Sequence, residues 1–129
     1  MNNSINVQSP NFMAYKKGGD FKQLIKFLNL QTPQAINELN AKMEKAVAAL
    51  KDTKYADAIV YSENNGGKIY HNVHWRYPVF NDKGEIQSGS GVMAVKDIDE
   101  AVKVTLDKES AMTAAFEYAK KQASILKEM

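Results

Sequence analysis

The sequence predicts an α+β domain: an antiparallel meander of three to four strands, with two helices before it and one long helix after it. Three observations predict this. An Asn65-Gly66 pair sits between two runs of alternating apolar and polar residues, which is the favoured turn of a two-stranded hairpin. Apolar residues at helical spacing precede those runs. A second helically spaced stretch begins near Asp107 and continues close to the end of the chain.

Residues 1–19 are rich in Asn and Ser and end in Lys16-Lys17-Gly18-Gly19, yet Ile5, Val7, Phe12, Met13 and Tyr15 are too apolar for a plain tail. They are expected to form a partly ordered N-terminal arm that docks on its own domain; the sharper reading docks the arm on a second subunit or a partner. Residues 20–129 then form a single α+β domain. Asp20 with Gln23 three residues on gives a helix start, and Phe21, Leu24, Ile25 and Leu28 form one stripe that ends near Asn29 or Leu30. Thr32-Pro33 is a stronger start, a cap followed by proline at the first helical position. From there Ile36, Leu39, Met43, Ala46, Val47 and Leu50 share a face as far as about Lys51, with Glu38 and Lys42 four apart on another side.

Centring the hairpin on Asn65-Gly66 opposes Glu63 to Lys68, Tyr61 to Tyr70, Val60 to His71, Ala58 to Val73, Asp57 to His74 and Ala56 to Trp75. Side chains alternate across a strand, so one face carries Ala56, Ala58, Val60, Ile69, Val73 and Trp75. The other carries Asp57, Tyr61 and Glu63 against His74, Tyr70 and Lys68. Opposite charges oppose each other and the tyrosines pair, as cross-strand neighbours prefer. The second strand extends to Val79-Phe80, Asn81-Asp82-Lys83-Gly84 forms a second turn, and Glu85–Val95 forms a third strand. The glycines of Ser88-Gly89-Ser90-Gly91 suggest a bulge or sharp bend there. Asp97-Ile98-Asp99-Glu100 reads as a solvated corner. Val102, Val104 and Leu106 alternate with Lys103 and Thr105, which favours a fourth strand over the competing short helix, whose residues Ile98, Val102 and Leu106 are spaced by four. The last helix then starts at 107–110. It carries two stripes, one through Met112, Ala115, Phe116, Ala119, Ala123 and Leu126, and one beside it through Ala111, Ala114, Tyr118, Ile125 and Met129. That face is wider than covering one sheet requires.

The 129 residues suit one domain able to bury its own core. Seventeen basic and fifteen acidic side chains leave a net charge of +2, too even to advertise nucleic acid or an anionic membrane. The absence of cysteine excludes disulfides, zinc thiolates and thiol catalysis within the chain, and fits a reducing compartment. Met1–Asn6 has no signal-peptide character, and no run reaches the length of a membrane span. A cytoplasmic protein is expected.

Catalytic and cofactor chemistry finds little support. His71 and His74 are three apart on one strand and point to opposite faces, so they do not share a metal. His71, on the core face, reads as a structural group with a hydrogen-bond partner. His74 opposite Asp57 reads as a surface pair, and as a His–Asp base only in a third reading of the chain as a small enzyme. Gly89-Ser90-Gly91-Val92-Met93-Ala94 fits the loose G-x-G-x-x-A form but precedes a β-like run instead of opening a helix, so no dinucleotide site follows. No cofactor and no metal are expected.

The remaining constellation is the outer face of the sheet, with Ile59 and Tyr61 from one strand and Lys68, Tyr70, Asn72, His74 and Arg76 from the next; Gln87 and Lys103 are candidates to join it. An apolar and aromatic centre inside a mixed-charge rim has the anatomy of a protein interface. These residues are therefore the candidate partner-binding site of a small non-enzymatic protein, an inhibitor or adaptor, acting through this face and the N-terminal arm. The partner is another protein or a second copy of the chain, with homodimers built on the sheet face or the C-terminal helix. The alternative is a single-stranded nucleic-acid binder, its rings stacking on bases and its cations on phosphates. Against that, Asp57 and Glu63 oppose the cations directly. A competing arrangement covers this face with the N-terminal helices as a layered core.

The order helix, antiparallel strands, helix, with Gly89-Ser90-Gly91 following the second turn, resembles double-stranded-RNA-binding domains in topology. The basic cluster that such a resemblance implies at the start of the last helix is absent, since the chain reads Asp107-Lys108-Glu109-Ser110. The phosphate-binding activity is therefore not carried over. Sheet-then-helix single-strand binders are similar in the same outline.

Overall fold

The computed structural model describes residues 11–15, 25, 28–62 and 69–128. Four strands lie side by side in chain order as one antiparallel sheet: β1 (Asn11–Ala14), β2 (Ala56–Ser62), β3 (Ile69–Phe80) and β4 (Ile86–Val95). Two helices, α1 (Pro33–Leu50) and α2 (Ile98–Glu128), are present among the described residues. The fold is α+β with an antiparallel meander, as expected, but it has two described helices where three were expected. The missing one, from Asp20 onward, falls mostly outside the described residues. At its expected end, Ile25 is helical, its carbonyl accepts from the Leu30 N–H at 3.3 Å, and Asn29 has φ 53°. A six-to-one bond closing over a left-handed residue is how helices commonly end.

α1 begins where Thr32-Pro33 predicts. The Thr32 hydroxyl oxygen accepts from the Ala35 N–H at 3.2 Å, and proline occupies the first turn, where its missing N–H costs nothing. The helix buries Met43, Ala46 and Leu50, with Leu39 and Val47 partly buried beside them. At its end the Thr53 hydroxyl donates to the Leu50 carbonyl at 2.9 Å.

The β2–β3 register is the one that the Asn65-Gly66 turn dictates, with Ala56 opposite Trp75, Asp57 opposite His74, Val60 opposite His71 and Tyr61 opposite Tyr70. The turn itself, with Glu63 and Lys68, lies outside the described residues. Ala56, Ala58, Val60 and Val73 are buried, so the predicted apolar face is the one turned to the helices. β1 adds the fourth strand at the other side of β2, with Phe12 opposite Tyr61 and Ala14 opposite Ile59. Tyr15, directly after it, is fully buried among Met43, Leu50, Ala58, Val60 and Ala101.

Two sequence expectations are corrected. First, residues 102–106 are not a strand: α2 is one 31-residue helix from Ile98. Its start is a capping box. The Asp97 carboxylate accepts from the Glu100 N–H at 2.9 Å, and the Glu100 carboxylate reaches back to the Lys96 N–H at 2.9 Å. Ile98, Ala101 and Thr105 are buried at helical spacing, while Leu106, expected to face a core, is exposed. Alternation over five residues loses to a capped helix whose spaced face buries apolar area. The acidic corner is accordingly a helix cap.

Second, the glycines of β4 form neither a bulge nor a bend. The ladder runs unbroken from His71–Val95 to Phe80–Ile86, placing Gly91 opposite Trp75 and Gly89 opposite Tyr77. A Cβ on Gly91 would overlap the Trp75 indole, and one on Gly89 the Tyr77 ring. Both rings lie across bare backbone of the neighbouring strand. The indole is closed from the other side by Lys108 of α2, whose Nζ lies 4.1 Å from the ring centroid. The next residue, Glu109, clamps the sheet to α2: its carboxylate accepts from the Tyr55 N–H at 2.6 Å and the Ala56 N–H at 3.0 Å. Tyr55 in turn stacks on Phe116, with centroids 4.4 Å apart.

Gly91→Ala is expected to destabilise the fold by about 1–3 kcal/mol through overpacking against the indole. In a Trp75→Ala background the same substitution is expected to cost little. Urea denaturation of the four members of this cycle measures the difference; equal costs in both backgrounds would contradict the contact.

Candidate functional site

Because β2, β3 and β4 alternate strictly, burying Ala58, Val60 and Val73 commits Asp57, Ile59, Tyr61, Tyr70, Asn72, His74 and Arg76 to the opposite face. Six of the seven expected partner-binding residues (Ile59, Tyr61, Tyr70, Asn72, His74 and Arg76) are thus brought together, and Lys68 lies outside the described residues. Gln87 and Lys103 do not join them: Gln87 is registered opposite Val79 on the helix-facing side, and Lys103 belongs to α2. The register adds members that the sequence reading did not name. Val92 is opposite His74, Ser90 opposite Arg76, Ala94 opposite Asn72, and Ile86 opposite Phe80. Val92 is 60% exposed and Phe80 46%. Among the described residues, no helix covers this face.

At its centre Tyr61 and Tyr70 stack with ring centroids 5.1 Å apart and planes 20° from parallel. Such a pair contributes roughly 0.5–1.5 kcal/mol beyond its buried area. Both rings and the neighbouring Ile59 and Asn72 are half-buried.

The rim is polar, and part of it is structural. The Arg76 guanidinium donates to the Lys54 carbonyl at 2.9 Å and lies 5.4 Å from the Tyr55 ring centroid, while its backbone N–H donates to the Tyr55 carbonyl at 2.8 Å. Arg76 therefore ties the entry of β2 to β3. Asp57 accepts from the Ala58 N–H at 2.9 Å. His74 is half-buried, and its Nε2 has no solvent access and no partner among the described residues. Between these groups lies a shallow hollow of about 210 Å³ lined by Lys54, Asp57, His74, Arg76 and Ser90. That is below the ~300–1,000 Å³ of typical small-molecule sites and suits a single inserted side chain. Among the described residues no three ligand-type side chains gather for a metal, and no helix is long and apolar enough to cross a membrane.

His71 projects the other way and has a partner. The Tyr15 hydroxyl lies 2.6 Å from its Nδ1, with the rings edge to face. Burial pushes the phenol up and, less strongly, so does Asp97; burial pulls the imidazole down, with Asp97 opposing. Both groups are therefore held neutral, and the phenol donates to an unprotonated Nδ1. This pair links the segment after β1 to β3.

No family model matches the chain, and no curated protein or solved structure matches it either.

Tyr15→Phe is expected to cost about 1–3 kcal/mol by leaving Nδ1 unsatisfied, measured by chemical denaturation. Because the folded imidazole titrates below its unfolded value near 6.5, the unfolded state binds the proton first as pH falls. The contribution of His71 is fully present above that value and is lost as pH falls below it. Denaturation midpoints should fall between about pH 7.5 and 5.5, and His71→Gln should flatten that dependence; an unchanged slope would show that the imidazole is not held neutral.

Proposed function

We propose that this protein is a small non-enzymatic binding protein, an inhibitor or adaptor, that occupies the surface of another protein with the outer face of its sheet and its N-terminal arm. The stacked Tyr61–Tyr70 pair carries this reading. It lies in the middle of a face uncovered by any described helix, with Ile59 and Val92 adding apolar area and Asn72, Asp57 and Arg76 forming a rim. Interfaces concentrate binding energy in a few aromatic and Arg anchors within a polar surround. The arm joins this surface because β1 extends the sheet beyond β2, with Phe12 registered opposite Tyr61.

The rim argues for protein over nucleic acid. Arg76 spends a donor on the Lys54 carbonyl and packs against Tyr55, and Asp57 stands opposite His74. A phosphate-tracking groove needs cations released from such duties. The cysteine-free composition supports a cytoplasmic site of action.

Affinity capture with immobilised wild type, Tyr61→Ala and Tyr70→Glu tests the reading. Both variants should keep the wild-type circular dichroism spectrum. Loss of a centre worth about 2 kcal/mol or more should weaken capture of a specific partner by roughly thirtyfold. Equal capture by all three would exclude the face. Salt-sensitive binding to single-stranded oligonucleotides in place of a protein partner would move the function to nucleic acid.

A further inference from the structure

The two edges of the sheet are unlike each other. Among the described residues, β1 closes one side with four. β4 closes the other with ten, Ile86-Gln87-Ser88-Gly89-Ser90-Gly91-Val92-Met93-Ala94-Val95. It contains no charged residue and no proline, and its ladder with β3 has no bulge. These are the devices by which exposed edges are normally blunted, and β4 has none of them. No described strand pairs with its free side. Val92 on one face is 60% exposed and Met93 on the other 44%, so apolar side chains flank the edge on both faces.

The pairing with β3 shows which backbone groups are unspent. The Asn81 N–H donates to the Glu85 carbonyl at 2.9 Å, which makes this a bonded pair, and bonded pairs recur at every second residue of an antiparallel ladder. Along the register, Gln87, Gly89, Gly91 and Met93 therefore bond β3, and Ser88, Ser90, Val92 and Ala94 turn their amides to the free edge.

We infer that β4 is an assembly edge and that its occupant is the β4 strand of a second copy of this chain, paired antiparallel about a two-fold axis perpendicular to the sheet near Ser90. Three features favour the same chain over a foreign strand. Every opposed pair within the strand is neutral, so self-pairing meets no like charge. The central side chains, Ser88, Gly89, Ser90 and Gly91, are too small to form pockets that select a different sequence. The charges at the two ends are self-complementary: Lys83 and Glu85 precede the strand, Lys96 and Asp97 follow it, and all four are exposed. A two-fold at Ser90 opposes residues whose numbers sum to 180, which brings Lys83 level with the partner's Asp97 and Glu85 level with the partner's Val95, one residue from Lys96, at both ends at once. Such an isologous contact closes on itself as an eight-stranded sheet and does not propagate. The helices of both copies lie on one side and both outer faces on the other. The contact uses backbone at the edge and does not involve the Tyr61–Tyr70 centre.

Sedimentation equilibrium of the full chain tests this. The wild type should sediment as a dimer of the 14.4 kDa chain at micromolar concentration. Ser90→Pro removes an edge amide without touching the β3 ladder and should give a monomer. Ser90→Lys should do the same by opposing like charges, and it carries the test if the proline variant does not fold by circular dichroism. Tyr70→Glu and Tyr118→Glu, on the outer face and on the exposed side of α2, should remain dimeric. A wild type that stays monomeric at hundreds of micromolar, a dimer that survives both Ser90 variants, or one abolished by Tyr118→Glu would overturn the inference.

Discussion

One constraint organises this molecule: the β2–β3 register is fixed, and a strand has only two faces. Pairing Ala58 with Val73 and Val60 with His71 puts a narrow row of small and branched side chains on one side. Against that row pack Tyr15, Met43, Leu50 and Ala101 from three different segments. A slip of one residue would turn one of the two strands over, bringing either Asp57 or His74 under the helices and pushing Val60 or Val73 into water. The cost of burying Asp57 or His74 without a partner is far above the energy of any single contact on the outer face. The composition of the outer face is therefore set by what the inner face must bury.

The layers are tied together by polar contacts at places where apolar packing alone would not specify an arrangement. Glu109 of α2 satisfies two amides at the start of β2, and the Tyr15–His71 pair joins the segment after β1 to β3 inside the core. Buried polar contacts of this kind add modest net energy, but breaking one side leaves a desolvated group unpaired. The Trp75 indole, held between Gly91 and Lys108, fixes where α2 crosses the far half of the sheet.

How much of this was legible in the sequence depended on whether the information was local. Thr32-Pro33 marks a helix start from four residues, and Asn65-Gly66 fixes a register that then orders every β2–β3 pair. Local patterning misled at Val102–Leu106, where five residues fit both periods. The deciding signal, Asp97 followed three residues later by Glu100, was present and was read as a turn. The glycines of β4 could not be decoded locally, because their cause is a pair of rings on the neighbouring strand. β1 was equally hidden, since a four-residue edge strand carries almost no periodic signal. For the candidate site, the faces of β2 and β3 followed from the turn, whereas Val92, Phe80 and Ile86 needed the β3–β4 register to be seen as part of it.

The claim on which the functional reading rests is that the inner face is sealed and the outer face is open. Because the chain has no native cysteine, single cysteines introduced in turn at positions 57 to 61 can be alkylated without interference. The account predicts fast modification at Asp57, Ile59 and Tyr61, and protection at Ala58 and Val60 that is lost only on unfolding. Protection at all five positions, or the reversed alternation, would contradict it.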